Sequence, residues 1–383
     1  MSDASALSES PLGAAAPDLP ATTSSDAPVF VVGLSRSGST LLSRMLDAHS
    51  ALAIFPETWW YVALDRFGCL EEFTDPWQYI LFLNQVWDSL KSERDPAARV
   101  LAMEGVKQPQ YVGPTRPVLE KLGRAYASVR KARVWGEKTP GHVLWLPQIR
   151  ALFPNARVVA TVRDPRDVLV SYDERWNHGR GDTDFLMKSA AQVKHYLAHL
   201  LYQSVFPPEQ VCRVKYESLV SQPSVVLEEV CRFLQLDFEP GMLEFYRQQE
   251  KAERSTSDAK HHELLSKPAT TERINRYVQK FRPAQCALIE RFLHEEMNVL
   301  GYGASLHEPG KWSTGDEKAY EEGVRTYEQM RSGALREEHR RAGQRKLAVY
   351  RWFGKALAWT TRAVALTSRD WQARAETAGR ELG

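Results

Sequence analysis

The stretch PVFVVGLSRSGSTLLSRMLD, residues 28–47, decides the fold. It begins with an apolar, β-rich run at residues 29–32 that has no polar alternation, which is typical of a strand buried on both faces of a parallel sheet. A turn rich in Gly and Ser follows at residues 33–38 and leads directly into the helical apolar spacing of residues 41–46. Backbone N–H groups and a helix amino terminus then face one small space, which predicts an anion-binding site.

The turn has the Gly-to-Gly spacing of a P-loop but departs from that motif at one position. Thr40 stands where the motif has Ser or Thr, whereas Ser39 stands where it has Lys. Nucleotide triphosphatases use this Lys and a magnesium-bound hydroxyl on the β- and γ-phosphates, so its absence argues against NTP hydrolysis. Arg36 supplies a bidentate cation that suits an oxyanion held without a metal. An ordinary Gly-rich strand-to-helix turn is the alternative interpretation of this stretch alone.

Length and composition indicate a globular protein. The 383 residues suffice for one large α/β domain with additions or for two ordinary domains. The net charge of +2 gives no general affinity for nucleic acid, so any anion binding must be local. The cysteines lack CxxC spacing, which favours reduced core residues over a zinc site or a disulfide framework. They are Cys69, Cys212, Cys231 and Cys286.

The first 27 residues are rich in Ala, Ser, Pro and Asp, and Arg36 is the first basic residue. They therefore lack the basic and apolar regions of a secretory signal. No apolar run reaches the length of a transmembrane helix. We expect a disordered N-terminal tail at residues 1–27 and a cytoplasmic protein.

Four further strand patterns alternate with helical patterns along the chain. This alternation predicts an α/β fold with a doubly wound parallel sheet, in a domain that covers residues 28–303. The strands are predicted at residues 52–55, 133–136, 157–163 and 211–216, and the helices at 142–152, 166–175, 183–204 and 225–234, and the domain is expected to finish at residues 288–303.

Two segments lie outside this alternation. Residues 59–87 carry aromatic residues at loose helical spacing and predict a helical insertion over the sheet edge, which either lines an acceptor pocket or belongs to the core. Residues 304–383 are highly charged and predict a helical C-terminal extension. Within it, residues 346–366 have an apolar and a basic face, for which packing against the body or a partner subunit is favoured over contact with a membrane surface.

Chemically active residues follow the predicted strands. Because ligands bind at the carboxyl ends of the strands in such sheets, we expect the 33–40 loop, Glu57, Lys138 and Arg163 to line one crevice. Ser171 lies on the helix after Arg163, and Arg175 lies one turn further on the same face. Taken alone, the RDPRD run is equally a solvated charge cluster. Next to a first anion site, it predicts a second phosphate site.

This constellation resembles the sulfotransferases that use 3′-phosphoadenylyl sulfate (PAPS), most closely the branch similar to tyrosylprotein sulfotransferases. The resemblance covers about residues 29–302 and rests on RSGSTLL at residues 36–42 and RDPRDVLVSY at residues 163–172. It implies PAPS as the co-substrate, without a metal. The implied ligands of the 5′ end are Arg36, Ser37, Gly38, Ser39 and Thr40, and those of the 3′-phosphate are Arg163, Ser171 and Arg175.

The resemblance also implies catalytic roles. It makes Glu57 in FPET the catalytic carboxylate, Lys138 in GEKTP the sulfuryl contact, and Ser255 in ERST a group that stabilises the transition state. Tyr216 and Arg276 correspond to further cofactor contacts. The chain departs from the family at Tyr277, where Trp is usual, and by an insertion before Lys267.

The resulting hypothesis is in-line transfer of a sulfuryl group to a hydroxyl whose proton Glu57 accepts. The acceptor is a small molecule or a peptide, with a small molecule favoured by the aromatic insertion. His49 is an alternative base with a more structural setting, and the i,i+4 pair His195 and His199 is expected to be an exposed or packed helical pair rather than a metal site. A kinase or NTPase with a degenerate loop, and a non-catalytic nucleotide-binding scaffold, stay open as alternative functions.

Overall fold

A parallel sheet and the helices on its two faces form the body of the protein. The computed structural model describes residues 27–89, 111–203, 205–248, 266–303 and 311–357. Its strands are β1 (Val29–Gly33), β2 (Leu52–Phe55), β3 (Glu72–Phe73), β4 (Gly113–Pro114), β5 (Val134–Lys138), β6 (Arg157–Val162) and β7 (Val211–Lys215). Its helices are α1 (Ser39–Asp47), α2 (Trp60–Phe67), α3 (Pro76–Ser89), α4 (Thr115–Val129), α5 (Leu146–Leu152), α6 (Pro165–Trp176), α7 (Thr183–Tyr202), α8 (Tyr216–Ser221), α9 (Pro223–Leu234), α10 (Tyr277–Lys280), α11 (Pro283–Phe292), α12 (His294–Leu300), α13 (Thr314–Arg331) and α14 (Ala334–Leu357). Short 3₁₀ segments cover Pro140–Trp145, Pro208–Gln210 and Pro240–Gln248.

The five long strands are parallel and have the order β2-β5-β1-β6-β7. Every residue of β1, β2 and β5 is buried, as the apolar runs predicted. The α/β doubly wound sheet predicted from the sequence is confirmed. The pair β3 and β4 forms a separate two-stranded antiparallel sheet.

The core lies in two layers because alternate residues of β1 face opposite sides of the sheet. Phe30 and Val32 belong to one cluster, which also contains the buried side chains of α2, α3, α4 and α7. Val29 and Val31 belong to the other cluster, against α1, α9 and the Pro240–Gln248 segment.

The order of the strands places a crevice at the carboxyl end of the central strand, β1. The chain passes from β1 to β2 on one side and, after β5, crosses to β6 on the other side. Such a reversal leaves a crevice beyond the carboxyl ends of the central strands. The 33–40 loop, Glu57, Lys138, Arg163 and Tyr216 all follow or end strands at this edge.

The aromatic insertion is mostly core. Its large side chains pack together beneath the surface in one hydrophobic cluster, and of the eight aromatic residues at positions 59–82 only Trp59 and Trp77 are half-buried. The fully packed ones are Trp60, Tyr61, Phe67, Phe73, Tyr79 and Phe82. Of the two alternatives that the spacing left open, these six residues follow the core alternative.

The helices after residue 280 end the domain and form the C-terminal extension. Residues 288–300, where the domain was expected to finish, lie in two helices, α11 and α12, separated at Leu293. The predicted helical extension is present as α13, which packs along α7, and α14, which packs on α2. Residues 358–366 of the predicted amphipathic stretch, like residues 1–26, lie outside the described residues. None of the helices in the described ranges combines the length and apolar character needed to cross a bilayer.

The docking of α14 depends on charged pairs with α2 and α3. The buried carboxylate of Asp65 accepts hydrogen bonds from Arg336 and Arg340, at 2.8 to 2.9 Å. Arg351 donates to Asp75 over 2.9 Å, and the ring of Tyr350 lies against Trp77. The predicted packing of this stretch against the body is thus present in its described part.

Candidate active site

The 33–40 loop is a tight turn in which two positions require glycine. Gly33 has φ 134°, and a Cβ there would lie 2.2 Å from the Thr161 carbonyl oxygen of the neighbouring strand. Gly38 has φ 88° and caps α1 without a side-chain hydrogen bond. The first N–H groups of α1 therefore lack a side-chain cap, which suits an anion at this helix end.

Within the loop, Ser37 faces inward. Its buried hydroxyl lies 2.6 Å from both the Leu34 carbonyl oxygen and the Thr161 hydroxyl. The side chain therefore ties the loop to β6. Of the hydroxyls predicted at the 5′ end, Thr40 is the one within reach of a catalytic candidate.

Lys138 links the loop to Glu57. Its Nζ donates to Glu57 Oε1 over 2.7 Å and to Thr40 Oγ1 over 3.3 Å. The Lys138 side chain is buried, whereas that of Glu57 is 39% exposed, so the carboxylate is open to an incoming molecule. A cation, a carboxylate and a helix amino terminus thus meet at one point, as their strand-end positions predicted.

Arg163, which follows β6 on the other side of β1, contacts both the 33–40 loop and the segment at residues 271–277. Its guanidinium donates to the Arg36 carbonyl oxygen over 3.2 Å and to the Arg273 carbonyl oxygen. It lies 4.4 Å above the ring of Tyr216. Its Nε is buried and has no hydrogen-bond partner among the described residues. Because such an orphan donor is costly, it marks a place where a ligand acceptor fits.

Tyr216 also packs against the loop. A Cβ on Gly38 would lie 2.5 Å from its ring, so the ring covers the helix amino terminus from the side. Tyr216 therefore contacts both predicted anion sites, one through Gly38 and the other through Arg163.

Several arginine side chains lie close together between the 33–40 loop and the segment at residues 271–277. Arg36 Nε donates to Ser171 Oγ over 3.0 Å. Burial lowers the pKa of the Arg36 guanidinium, and neighbouring cations lower it further, in the order Arg273, Arg175 and Arg163. Among the described residues, neither Arg36 nor Arg273 forms an ion pair, so the cluster has positive charge that a polyanion would neutralise.

Arg273 is a site residue that the sequence analysis missed. It stands in the charged run TERINRY, which carries no local pattern that separates a buried arginine from a solvated one. Burial lowers the pKa of Arg273, and Arg276 and Arg163 lower it as well. Its carbonyl oxygen accepts a hydrogen bond from Arg163, so it lies beside the predicted second phosphate site.

Three contacts anchor the segment at residues 271–277. Asp167 accepts from the backbone N–H groups of Asn275 and Tyr277, over 2.8 and 3.1 Å. Arg276, predicted as a cofactor contact, forms a bidentate ion pair with Glu174. The buried ring of Tyr277 lies under the Arg166 guanidinium at 4.1 Å, so this departure from the family pattern serves as an anchor here.

The structure thus brings together the 36–40 loop, Glu57, Lys138, Arg163, Ser171 and Tyr216, with the exposed Arg175 close enough to Arg36 to affect its pKa. Arg276 lies on the anchored segment, and Ser255 lies outside the described residues. His49 lies beyond the far end of α1, about 13 Å along the helix from the loop. There its ring nitrogens contact the Asp237 carbonyl oxygen and the Ala51 N–H.

The two histidines of α7 form a packed pair. The rings of His195 and His199 lie 4.5 Å apart, and His199 Nδ1 contacts the His195 carbonyl oxygen over 2.9 Å. Burial lowers the pKa of His195 to about 4. The pair is therefore part of the packing around α7.

Comparison with protein families decides the class of this site. A model described as "Sulfotransferase family" matches residues 28–240, which include β1 to β7 and both predicted anion sites. The chain belongs to the sulfotransferase family. The family inferred from the two motifs is thereby confirmed.

Individual sulfotransferases match at low identity. A protein of Caenorhabditis briggsae described as "Putative protein-tyrosine sulfotransferase" is 26% identical over 218 residues, which are 56% of this chain and 68% of that protein. A protein of Caenorhabditis elegans with the same description is 35% identical over 107 residues, 28% of this chain and 41% of that protein. The sulfotransferase domain from the Synechococcus PCC 7002 olefin synthase is 20% identical, covers 73% of this chain and 96% of its own length, and has a TM-score of 0.55. This last similarity shows the shared fold.

Proposed function

We propose that this sulfotransferase moves a sulfuryl group from PAPS to an acceptor hydroxyl by direct in-line transfer. One observation carries the proposal: the loop at Arg36 and the clamp at Arg163 lie side by side, with Arg36 Nε 3.0 Å from Ser171 Oγ. A doubly phosphorylated adenosine presents two anionic groups, and each of these neighbouring clamps would hold one of them.

The 5′ end of the donor would lie on the loop and at the start of α1. The backbone N–H groups at the start of α1, which has no side-chain cap, and the hydroxyl of Thr40 would hold it there. The 3′-phosphate would lie on Arg163, Ser171 and Arg175. The orphan Nε of Arg163 supports this assignment, because a phosphate oxygen would supply the acceptor that the described residues lack.

Glu57 and Lys138 would carry the chemistry. Glu57 would accept the proton of the acceptor hydroxyl, since its carboxylate is exposed at the mouth of the crevice. Lys138 would stabilise the oxygens of the sulfuryl group as it passes between the donor and acceptor oxygens. The transition state of such a transfer disperses charge, so fixed cations and good positioning supply most of the rate enhancement.

The acceptor is proposed as a hydroxyl of a small molecule or a peptide. The two nematode relatives are described as protein-tyrosine sulfotransferases, which supports a phenolic hydroxyl as one candidate class. The packed aromatic insertion gives no separate support for a small molecule, because its rings lie in the core.

The test is incubation with radiolabelled PAPS and a metabolite extract, followed by identification of the labelled product. Glu57→Gln should bind adenosine 3′,5′-bisphosphate as the wild type does and should transfer label about 100-fold or more slowly, the usual contribution of a general base. Turnover retained by Glu57→Gln would reject its role as the base. A wild type that transfers no label, or that hydrolyses ATP with magnesium instead, would reject the function.

A further inference from the structure

A buried carboxylate lies directly behind the candidate base. Glu137 precedes Lys138 on β5, and its side chain is completely buried, as is that of His142. No Lys or Arg of the described residues forms an ion pair with Glu137; its ring partner is His142, whose Nδ1 lies 2.8 Å from Oε2. A buried charge without a cation is expensive, so its retention requires dense hydrogen bonding.

The hydrogen bonds of Glu137 converge on the residue after Glu57. Thr58 donates to Glu137 Oε1 through its hydroxyl at 2.7 Å and through its backbone N–H at 3.3 Å. The Thr139 hydroxyl donates to the same carboxylate oxygen. In turn, Thr139 Oγ1 accepts from the backbone N–H groups of Thr58 and Trp59, at 3.1 and 3.3 Å.

This network holds a turn that its own sequence does not favour. Trp59 is in the left-handed region, with φ 55° and ψ 29°, where bulky residues are rare. Such a conformation persists when the surroundings fix it, and it occurs preferentially at functional sites. The Trp59 ring is also close to Gly141, where a Cβ would lie 3.0 Å from it.

His142 completes the link to the next helix. Its Nε2 lies 3.4 Å from the backbone N–H of Tyr61, in the first turn of α2, and accepts from it. Burial by itself raises the pKa of Glu137, but His142 and the hydroxyls outweigh burial and hold the pKa below its ordinary value.

We infer that Glu137 and His142 are positioning residues: they hold the Thr58–Trp59 turn so that Glu57 faces Lys138 and the loop. This inference rests on the proposed function, because Glu57 is the base in it. Lys138 and Glu137 are adjacent at the end of β5 but act differently. Lys138 faces the crevice, whereas Glu137 fixes the turn behind it. A shift of about 1 Å in a catalytic group costs as much as about 100-fold in rate.

The decisive experiment is a double-mutant cycle with transfer of label from radiolabelled PAPS into a metabolite extract. Glu137→Gln should lower kcat by about 10- to 100-fold in the wild-type background and leave the affinity for adenosine 3′,5′-bisphosphate within about twofold. In the Glu57→Gln background, the same substitution should cost less than about threefold, because the base it positions is already gone. An equal loss in both backgrounds, or an unchanged kcat, would overturn the inference.

Two further variants distinguish a loss of positioning from a general loss of folding stability. Thr58→Val removes the hydroxyl that donates to Glu137. It should lower kcat in the wild-type background and by much less in the Glu57→Gln background, and this can be measured even if Glu137→Gln folds poorly. Glu296→Gln is the matched control, because it neutralises another buried carboxylate, bonded to Lys194 at 2.9 Å and remote from the turn. It should leave kcat unchanged.

Amide hydrogen exchange separates this inference from the proposed function. The amides of Thr58, Trp59 and Tyr61 should exchange faster in Glu137→Gln than in the wild type, whether or not label is transferred. A wild type without transfer would reject the proposed function, whereas unchanged exchange at these amides would reject the positioning network.

Discussion

Replacing Arg163 with lysine should weaken the binding of adenosine 3′,5′-bisphosphate selectively. The arginine lies 4.4 Å above Tyr216, donates to the backbone at Arg36 and Arg273, and keeps a buried Nε without a partner among the described residues. Lysine has a single ammonium and cannot place donors in all of these directions. Losing one charge-assisted bond of this kind corresponds to about 10- to 100-fold in affinity, or about 1.4–2.7 kcal/mol.

The assay is calorimetric titration with two ligands, adenosine 3′,5′-bisphosphate and adenosine 5′-monophosphate. The loss should appear with the first and shrink to less than about threefold with the second, because only the first carries the phosphate that Arg163 would hold. Arg157→Lys is the matched control: Arg157 begins the same strand at the opposite edge of the sheet and also lies over an aromatic ring, Phe233 at 5.7 Å. An equal loss with both ligands would refute the assignment of Arg163 to the 3′-phosphate.

Two other substitutions test the helix amino terminus and the extension. Gly38→Ala should lower the affinity for adenosine 3′,5′-bisphosphate by about 10-fold or more in the same titration, because φ is 88° and the new Cβ would lie 2.5 Å from Tyr216; unchanged affinity would show that the loop does not hold the nucleotide. Asp65→Asn should lower the free energy of unfolding by about 1–2 kcal/mol in urea titrations, since it loses hydrogen bonds to two arginines of α14 that are themselves partly exposed. Burial raises the pKa of Asp65, but these arginines outweigh burial and hold the pKa below 3.8. The difference in free energy of unfolding between the wild type and Asp65→Asn should therefore be present at neutral pH and disappear as the pH falls below 3.8. A difference that persists in strong acid would contradict the pairing.

Much of the sheet was predictable from local sequence. Buried parallel strands have a strong signal, so β1, β2, β6 and β7 begin where the apolar runs begin. Because functional residues of such sheets follow the strands, the positions of Glu57, Lys138 and Arg163 also follow from their place in the sequence. Their meeting at one edge needed no information beyond strand order.

What local sequence does not encode is the direction of each side chain and the long-range partner. Ser37 has the same local signal as Thr40, yet its hydroxyl faces β6 because the left-handed conformation of Arg36 turns the chain there. Arg273 resembles a solvated arginine until β6 brings Arg163 beside it. Glu137 resembles half of an ion pair with Lys138, whereas alternation along β5 sends the two side chains to different partners.

The most direct measurement of the central claim is the crystal structure of the protein with adenosine 3′,5′-bisphosphate. The account predicts the 5′-phosphate on the backbone N–H groups at Gly38 to Thr40 and a 3′-phosphate oxygen within hydrogen-bond distance of Arg163 Nε. A nucleotide bound away from the β1 and β6 strand ends, or an Arg163 Nε that stays without an acceptor in the complex, would contradict it.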